Sequence, residues 1–368
     1  MPSPATPAGT VALHLTAASG KAGTEKPIAD NASAVVQTGD CLWMAADETT
    51  CVERLVSRDG RASFGEHRAF DLSRFFDLPG GPEQEIDIEG LHADGGYLWI
   101  TGSHSYARRK PRMLEEDEAA ALERLTEVKH EPNRYLVARV PLVTGRDGLP
   151  ELRAEAEVGG RHLSASCLRM GERHNSLIRA LKGDEHLERF LEVPAKENGF
   201  DIEGIAAHGD RVFLGMRGLV LRGWAVVLEL AVEEKKPGRL RLTELDDEER
   251  RYRKHFLDLD GLGVRDLKIV GNDLLILAGP TMDLDGPVQL WRWPDALSCA
   301  AERVVPRKRL EMVMDLPFGQ GFDHAEGICL FEGADGGRLR LLVAYDNPGA
   351  GRKLPGGHGV NLDLFDLP

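Results

Sequence analysis

The sequence predicts an all-β protein folded as a single β-propeller, and three observations favour this class. The phrase Asp-x-Glu-Gly recurs as Asp87-Ile-Glu-Gly-Leu91 and Asp201-Ile-Glu-Gly-Ile205 and, with one more residue, as Asp323-His-Ala-Glu-Gly-Ile328. In the first two copies a turn glycine and a second apolar run follow, as in a β-hairpin. When weaker copies between them are included, the repeat has a spacing of roughly 60 residues, which is typical of propeller blades with several short strands each.

Weaker copies of the same hairpin extend the repeat. The position held by Glu89 is occupied in turn by Ser33, Glu89, Ala165, Glu203, Arg265 and Glu326. Six copies predict six blades of four strands. The interval of 38 residues between the third and fourth positions is short, so seven blades, or a smaller third blade, stay open as alternatives.

The chain ends and one insertion complete the predicted architecture. Strand-like residues Val360–Phe365 end the last blade, and Val11–Leu15 could supply its fourth strand and close the ring, which would remove the open edge. No linker divides the chain, so one propeller domain is predicted over residues 1–368. Residues 103–133 are predicted to be an inserted loop and helix over one channel mouth. Residues 113–130 are rich in helix formers, with Leu114, Leu122, Leu125 and Val128 near helical spacing.

Composition excludes several classes of protein. The 368 residues carry 46 Lys and Arg against 60 Asp and Glu, a net charge of −14, which disfavours non-specific nucleic-acid binding. No apolar run approaches the ~20 residues of a membrane span. The start Met1–Ala5 lacks the regions of a signal peptide, and the five scattered cysteines predict reduced thiols. We therefore predict a cytoplasmic protein without nucleic-acid or membrane partners.

The strand pattern predicts a ring of carboxylates at one mouth of the channel. The start of the first strand and the end of the antiparallel second strand of each blade share one face. Oxygen ligands suit Ca²⁺ or Mg²⁺. The predicted metal ligands are Glu89, Glu203, Glu326, Asp87 and Asp346. In the alternative interpretation these carboxylates are structural and pair with backbone N–H groups or with arginines such as Arg217 and Arg265.

Basic side chains are predicted at the same mouth. Guanidinium groups match the oxygens of phosphates and carboxylates, although a basic loop can equally be a solvated surface. The predicted anion-binding residues are Arg108, Arg112, Arg217, Arg222, Arg265 and Lys182. The predicted catalytic residues are His104, which would shuttle a proton, and the carboxylates Asp201 and Glu203.

Several segments resemble the bacterial domain-of-unknown-function 3616 family. They are Asp87–Leu91 with Tyr97–Ser105, Arg217–Ala225, Val264–Leu267 and Tyr345–Pro348. The resemblance runs from about residue 30 to the chain end, and it implies a fold and a site but no reaction. The phrase Asp-x-Glu-Gly-Ile is also similar, over a shorter stretch, to phytase-like esterase propellers. That similarity implies a secreted, metal-assisted phosphoester hydrolase, whereas the start of this sequence does not read as a signal peptide.

Two functions follow as hypotheses. The first is a metal-assisted hydrolase of a small anionic or phosphorylated substrate, with Ca²⁺ or Mg²⁺ as the cofactor. The second is a non-catalytic propeller that binds a ligand or a partner protein and whose carboxylate ring is structural. A propeller scaffold permits either.

Overall fold

The computed structural model describes residues 4–16, 27–112, 117–245, 250–334 and 336–368. Strands dominate it. The first are β1 (Gly9–His14), β2 (Ala32–Thr38), β3 (Cys41–Ala46), β4 (Cys51–Val56), β5 (Ser63–Asp71), β6 (Ile88–Asp94), β7 (Tyr97–Gly102), β8 (Tyr106–Arg108), β9 (Val128–His130), β10 (Val137–Thr144), β11 (Pro150–Leu152), β12 (Glu155–Val158), β13 (Arg161–Ser164) and β14 (Ser166–Leu168). The later ones are β15 (Ile202–His208), β16 (Arg211–Met216), β17 (Ala225–Lys236), β18 (Arg239–Thr243), β19 (Tyr252–Leu257), β20 (Gly263–Val270), β21 (Asp273–Gly279), β22 (Val288–Trp293), β23 (Arg303–Val305), β24 (Glu311–Leu316), β25 (His324–Phe331), β26 (Arg340–Asp346) and β27 (Gly359–Asp366).

Helices are few and short among these residues. The α-helices are α1 (Glu118–Arg124) and α2 (Ser176–Leu181), and 3-10 turns occupy Ile28–Asp30, Leu72–Arg74, Pro132–Tyr135, Glu188–Phe190, Ala195–Glu197, Ala296–Ser298 and Arg307–Arg309. The all-β prediction is therefore confirmed.

The strands form blades around a central ring. Five hairpins supply the innermost strands β2, β6, β15, β20 and β25, and each of these contacts the innermost strand of the next blade until β25 returns to β2. Every residue of the second strands β3 and β7 is buried, because each blade packs between two others. The described core divides into five apolar clusters, each between two adjacent blades. The β-propeller prediction is confirmed at this level.

The prediction of six blades, with seven as the alternative, is not confirmed, because the described strands build five. The predicted third hairpin at Ala165 is instead the short strand β14, which pairs with β10 as an outer strand of the second blade, followed by helix α2. Asn175 caps that helix by accepting a hydrogen bond from the backbone N–H of Ile178 at 2.9 Å. Leu177, Ile178 and Leu181 lie on its buried face, so their spacing is helical.

The ring closes through the N-terminal strand, as the sequence predicted. β1 pairs antiparallel with β27 over Gly9–His14, and the opposite edge of β1 meets β5 of the first blade in parallel. The last blade therefore takes its fourth strand from the start of the chain. This pairing covers a sheet edge that would otherwise expose backbone groups.

A β-bulge lies at the same place in all five inner hairpins. The strand register shifts at Ser33, Glu89, Glu203, Arg265 and Glu326, which are the repeat positions found in the sequence. A bulge inserts an unpaired residue and redirects its side chain. Close packing explains why glycine follows the bulge. A Cβ on Gly204 would lie 2.9 Å from the backbone of Asp266 in the next inner strand.

Candidate functional site

A cavity of about 400 Å³ opens at the mouth where the bulges lie. Nine carboxyl groups and six basic side chains line it. The carboxyl groups are Asp47, Asp87, Glu89, Glu197, Asp201, Glu203, Asp283, Glu326 and Asp346, and the basic residues are Arg108, Arg109, Lys110, Arg134, Lys196 and Arg217. The described lining thus has more acidic than basic groups, and the acids concentrate at its floor.

A buried ion pair on an innermost strand lies outside the lining of the cavity. Asp266 and Lys268 lie on β20, below the bulge at Arg265. Lys268 Nζ contacts both carboxylate oxygens of Asp266, at 2.8 and 2.7 Å, and reaches the carbonyl oxygen of Leu91, two blades away, at 3.3 Å. The side chain of Lys268 therefore crosses the channel, and a ligand would enter the cavity from the mouth.

Three carboxylates on one side of the floor form what we call the acidic triad: Asp47, Asp87 and Glu89. One oxygen from each lies within 4.8 Å of the others. Asp87 contacts Arg134 at 2.9 Å. In the described part of the chain, neither Asp47 nor Glu89 has a basic side chain within ion-pair distance, and Asp47 Oδ1 is buried without a hydrogen-bond partner. Within the acidic triad, Asp47 and Glu89 thus lack the kind of basic partner that Asp87 has in Arg134.

Burial and mutual repulsion raise the pKa values of two carboxyl groups in the acidic triad. Burial raises the pKa of Asp47 well above its usual value, and the negative charges of Glu326 and Asp87 raise it further. Burial also raises the pKa of Glu89 well above its usual value, with Asp47 and Asp87 adding to the shift. Both carboxyl groups therefore favour a bound proton or a bound cation over the free anion.

The carboxylates on the other side of the floor have arginine partners, and we call this set the paired cluster. Arg217 contacts Asp201 at 2.5 Å and Glu203 at 2.8 Å. Arg265 contacts Glu326 at 2.6 Å and lies 3.5 Å from Glu203. Burial raises the pKa of Glu203 to about 8, although both arginines oppose the shift. The predicted metal set therefore divides, with Glu203 and Glu326 in arginine pairs and Glu89 and Asp87 in the acidic triad.

The basic rim above the floor comes mainly from the insertion. Its hairpin β8–β9 carries Arg108, which pairs with Glu197 and donates to the carbonyl oxygen of Leu125 at 2.7 Å. Lys110 pairs with Asp283, and Lys196 contacts the same carboxylate at 3.4 Å. These ion pairs tie the insertion to two other blades across the mouth. Predicted helix residue Leu114 lies outside the described residues.

His104 does not have the surroundings of a proton shuttle, which corrects the sequence prediction. It is buried, with its ring edge-on to Tyr135 and outside the cavity lining. Nδ1 lies 2.9 Å from the carbonyl oxygen of Gly102, and Nε2 lies 2.7 Å from the side-chain amide of Asn175. Burial lowers the pKa of His104 to about 4, so the ring is neutral and holds loops together.

Three predicted anion-binding residues also lie away from the cavity lining. Lys182 follows helix α2 and is exposed, because its segment is not the strand end that the sequence suggested. Arg222 is exposed in a turn where its backbone φ is 51°. Arg112 is exposed on the insertion. Arg108 and Arg217 line the first cavity, Arg265 lines an adjoining one, and Asp346 lines both.

Several residues outside the predicted site set contribute to the mouth, among them Asp47, Arg134, Lys196 and Asp283. Asp47 follows β3 at the end of a second strand, the position that Asp346 holds in the last blade, so the repeat itself marks it. Arg134 contacts Glu85, Asp87 and Glu131 together. No repeat marks Arg134, Lys196 or Asp283, since they come from loops.

Comparison with known proteins identifies a family but no activity. A family model described as "Protein of unknown function (DUF3616)" matches residues 31–363. No curated protein sequence matches the chain.

Solved structures resemble the chain only distantly. Myxococcus xanthus glutaminyl cyclase has 11% identity and a TM-score of 0.37, with 99% of this chain and 100% of that chain covered. A PQQ-bound aldose sugar dehydrogenase from Streptomyces coelicolor has 12% identity and a TM-score of 0.35, with 93% and 96% covered. The periplasmic gluconolactonase PpgL of Pseudomonas aeruginosa has 14% identity and a TM-score of 0.32, with 90% and 71% covered. These scores are too low to carry an activity over to this chain.

The described helices are all too short or too polar to cross a membrane. Cys41, Cys167, Cys299 and Cys329 are free thiols in the described structure.

Proposed function

The chain belongs to the DUF3616 family, and on that premise we propose that its mouth is a divalent-cation site serving the hydrolysis of a small phosphorylated substrate. The observation that carries the proposal is the acidic triad. Asp47, Asp87 and Glu89 bring three carboxylate oxygens within 4.8 Å, while the neighbouring described carboxylates, apart from Asp346, have arginine or lysine partners. A site that needs charge compensation and lacks it is suited to a cation.

Ca²⁺ and Mg²⁺ are the ions that such a site favours. Both prefer oxygen ligands, and the acidic triad offers carboxylates only. Soft-metal chemistry has no support there, because no cysteine or histidine belongs to the described triad. Bound at the triad, such an ion would polarise a phosphoryl oxygen and lower the pKa of a coordinated water.

The protein's own residues supply the remaining functions. Lys110 and Lys196, at the mouth, would attract an anionic substrate and hold its oxygens. Arg217, fixed by Asp201 and Glu203, would place positive charge beside the phosphoryl group as negative charge develops. Asp87 is oriented by Arg134 and would be the most firmly positioned ligand. With Lys268 closing the channel, reaction would take place in a cup with one opening.

Cation binding is expected to release protons and to strengthen as pH rises. The pKa values of Asp47 and Glu89 are raised in the metal-free protein, so each carboxyl group keeps its proton to a higher pH than usual. A cation competes with those protons, and its apparent dissociation constant should therefore fall as pH rises. Titration calorimetry of Ca²⁺ or Mg²⁺ in two buffers of different ionisation enthalpy measures the released protons. Equal heats in both buffers would contradict this prediction.

The decisive experiment combines metal content with turnover. We expect stoichiometric Ca²⁺ or Mg²⁺ by elemental mass spectrometry, and hydrolysis of generic phosphoesters that stops in EDTA and in Glu89→Gln. Glu311→Gln, on an exposed position of β24, is the matched control and should keep full activity. Turnover that survives Glu89→Gln in a folded protein would exclude the acidic triad as the catalytic metal site.

The paired cluster supports the second candidate function, a ligand-binding propeller. Asp201, Glu203 and Glu326 are all engaged by arginines, as structural carboxylates would be. Metal binding without any turnover in the same phosphoester panel would favour this function over hydrolysis.

A further inference from the structure

We propose that the substrate is a phosphate monoester of an apolar alcohol, with its phosphate at the first cavity and its apolar group in the adjoining one. This inference rests on the proposed function, since it names the class of substrate for the same mouth. Its basis is a second cavity whose lining combines charged groups with exposed apolar side chains.

The second cavity adjoins the first and has a volume of about 500 Å³. The two share six wall residues, so a ligand could extend from one to the other. These shared residues are Lys110, Lys196, Arg217, Asp283, Glu326 and Asp346. Pockets for small ligands have volumes of roughly 300–1,000 Å³, so each cavity is large enough to hold part of one.

The lining of the second cavity includes three large, exposed apolar side chains. Met282 and Leu284 come from the loop between β21 and β22, and Phe318 comes from the segment before β25. They are 44%, 62% and 40% exposed. Exposed apolar side chains gathered at a cavity mark a binding surface more often than scattered ones do. Three side chains are too few for a stable protein interface, which buries about 800 Å² on each partner.

Two lysines on the shared wall are placed to bind the anionic end of the ligand. Lys110 and Lys196 both contact Asp283, so two ammonium groups share one carboxylate. The two lysines thus bring two positive charges to the junction of the cavities while they contact a single carboxylate. Both lysines are exposed, so they can turn toward a ligand at little cost. An anion at this junction would place its apolar group against Met282 and Leu284.

The test compares two probes that resist hydrolysis, phenylphosphonate and methylphosphonate, by titration calorimetry on the full chain with Mg²⁺ or Ca²⁺. Burial of the phenyl group should make phenylphosphonate bind about tenfold more tightly or better. In the double variant Met282→Ser, Leu284→Ser this preference should fall to less than about threefold. Leu122→Ser on α1 is the matched control, because Leu122 is equally exposed at 62% and lines neither cavity.

The outcomes separate the two proposals. Equal binding of both phosphonates, or a preference that the double variant leaves unchanged, would overturn the apolar subsite while the proposed function stands. Failure of both phosphonates to bind, with either cation present, would overturn the proposed function and this inference together. Circular dichroism tests whether the variants are folded. We expect that they are, because the substituted side chains are exposed.

Discussion

Replacement of Arg217 by methionine is expected to lower the free energy of unfolding by about 3–5 kcal/mol, because it leaves buried carboxylates without their partner. Arg217 contacts both Asp201 and Glu203, and each of these carboxylates is almost fully buried. Methionine preserves much of the side-chain volume but none of the charge. Urea denaturation followed by tryptophan fluorescence measures the loss.

The pH dependence of this variant has a definite sign. Without Arg217, the folded-state pKa values of Asp201 and Glu203 rise further above their unfolded values, since burial already raises both. Stability of the variant should therefore decline as pH rises through those values, and acid should partly rescue it. Arg241→Met is the control, because Arg241 pairs with Glu233 at an exposed position where a pair contributes at most about 1 kcal/mol. A loss for Arg217→Met no larger than that of the control would contradict the prediction.

The double variant Asp47→Asn, Glu89→Gln is expected to be more stable than the natural protein without a cation and less stable than it when a cation is bound. In EDTA it should be more stable than the natural sequence, because it removes two half-buried carboxyl groups that repel Asp87 and each other. With a cation at 100 times its dissociation constant, the natural protein gains about 2.7 kcal/mol and the variant gains none. Thermal melting in EDTA and after adding Ca²⁺ or Mg²⁺ measures both effects.

A matched control for this variant is Asp273→Asn. Asp273 pairs with Arg292 on a different part of the surface, so its loss should not alter the response to a cation. A double variant that keeps the cation-induced rise in melting temperature would exclude the acidic triad as the binding site. A double variant that is less stable than the natural protein in EDTA would show that the two carboxylates have structural partners.

Much of the fold could be predicted from local sequence pattern, because the repeat position coincides with a β-bulge in each inner hairpin. The positions of Ser33, Glu89, Glu203, Arg265 and Glu326 were found by aligning short apolar runs, and each one is a β-bulge in an inner hairpin. A hairpin is encoded within about twenty residues, so its apolar alternation and turn glycine are visible in the sequence. The strand that closes the ring, β1, was found in the same way.

The sequence predictions failed where a segment was compatible with two different local structures or environments. Residues 165–181 contain short apolar runs that fit a weak hairpin, yet Asn175 caps a helix there and the preceding strand joins an outer blade edge. His104 lies in a polar loop beside basic residues, which suggested chemistry, but packing against Tyr135 and a hydrogen bond with Asn175 bury it. Neither partner is adjacent in sequence, so no local pattern could reveal the contact.

The sequence by itself determined the class of fold, the repeated bulge and the presence of acidic and basic groups at one mouth, because each depends on residue order within a single hairpin. Arg217, which contacts Glu203 at 2.8 Å, follows β16 in the same hairpin, whereas Ser103 follows β7 at the equivalent position, so identical Asp-x-Glu-Gly phrases differ in charge balance. Only the tertiary structure decided how many blades close the ring and which carboxylates pair with an arginine of another blade. Both depend on distances between blades, such as the 2.6 Å between Arg265 on β20 and Glu326 on β25.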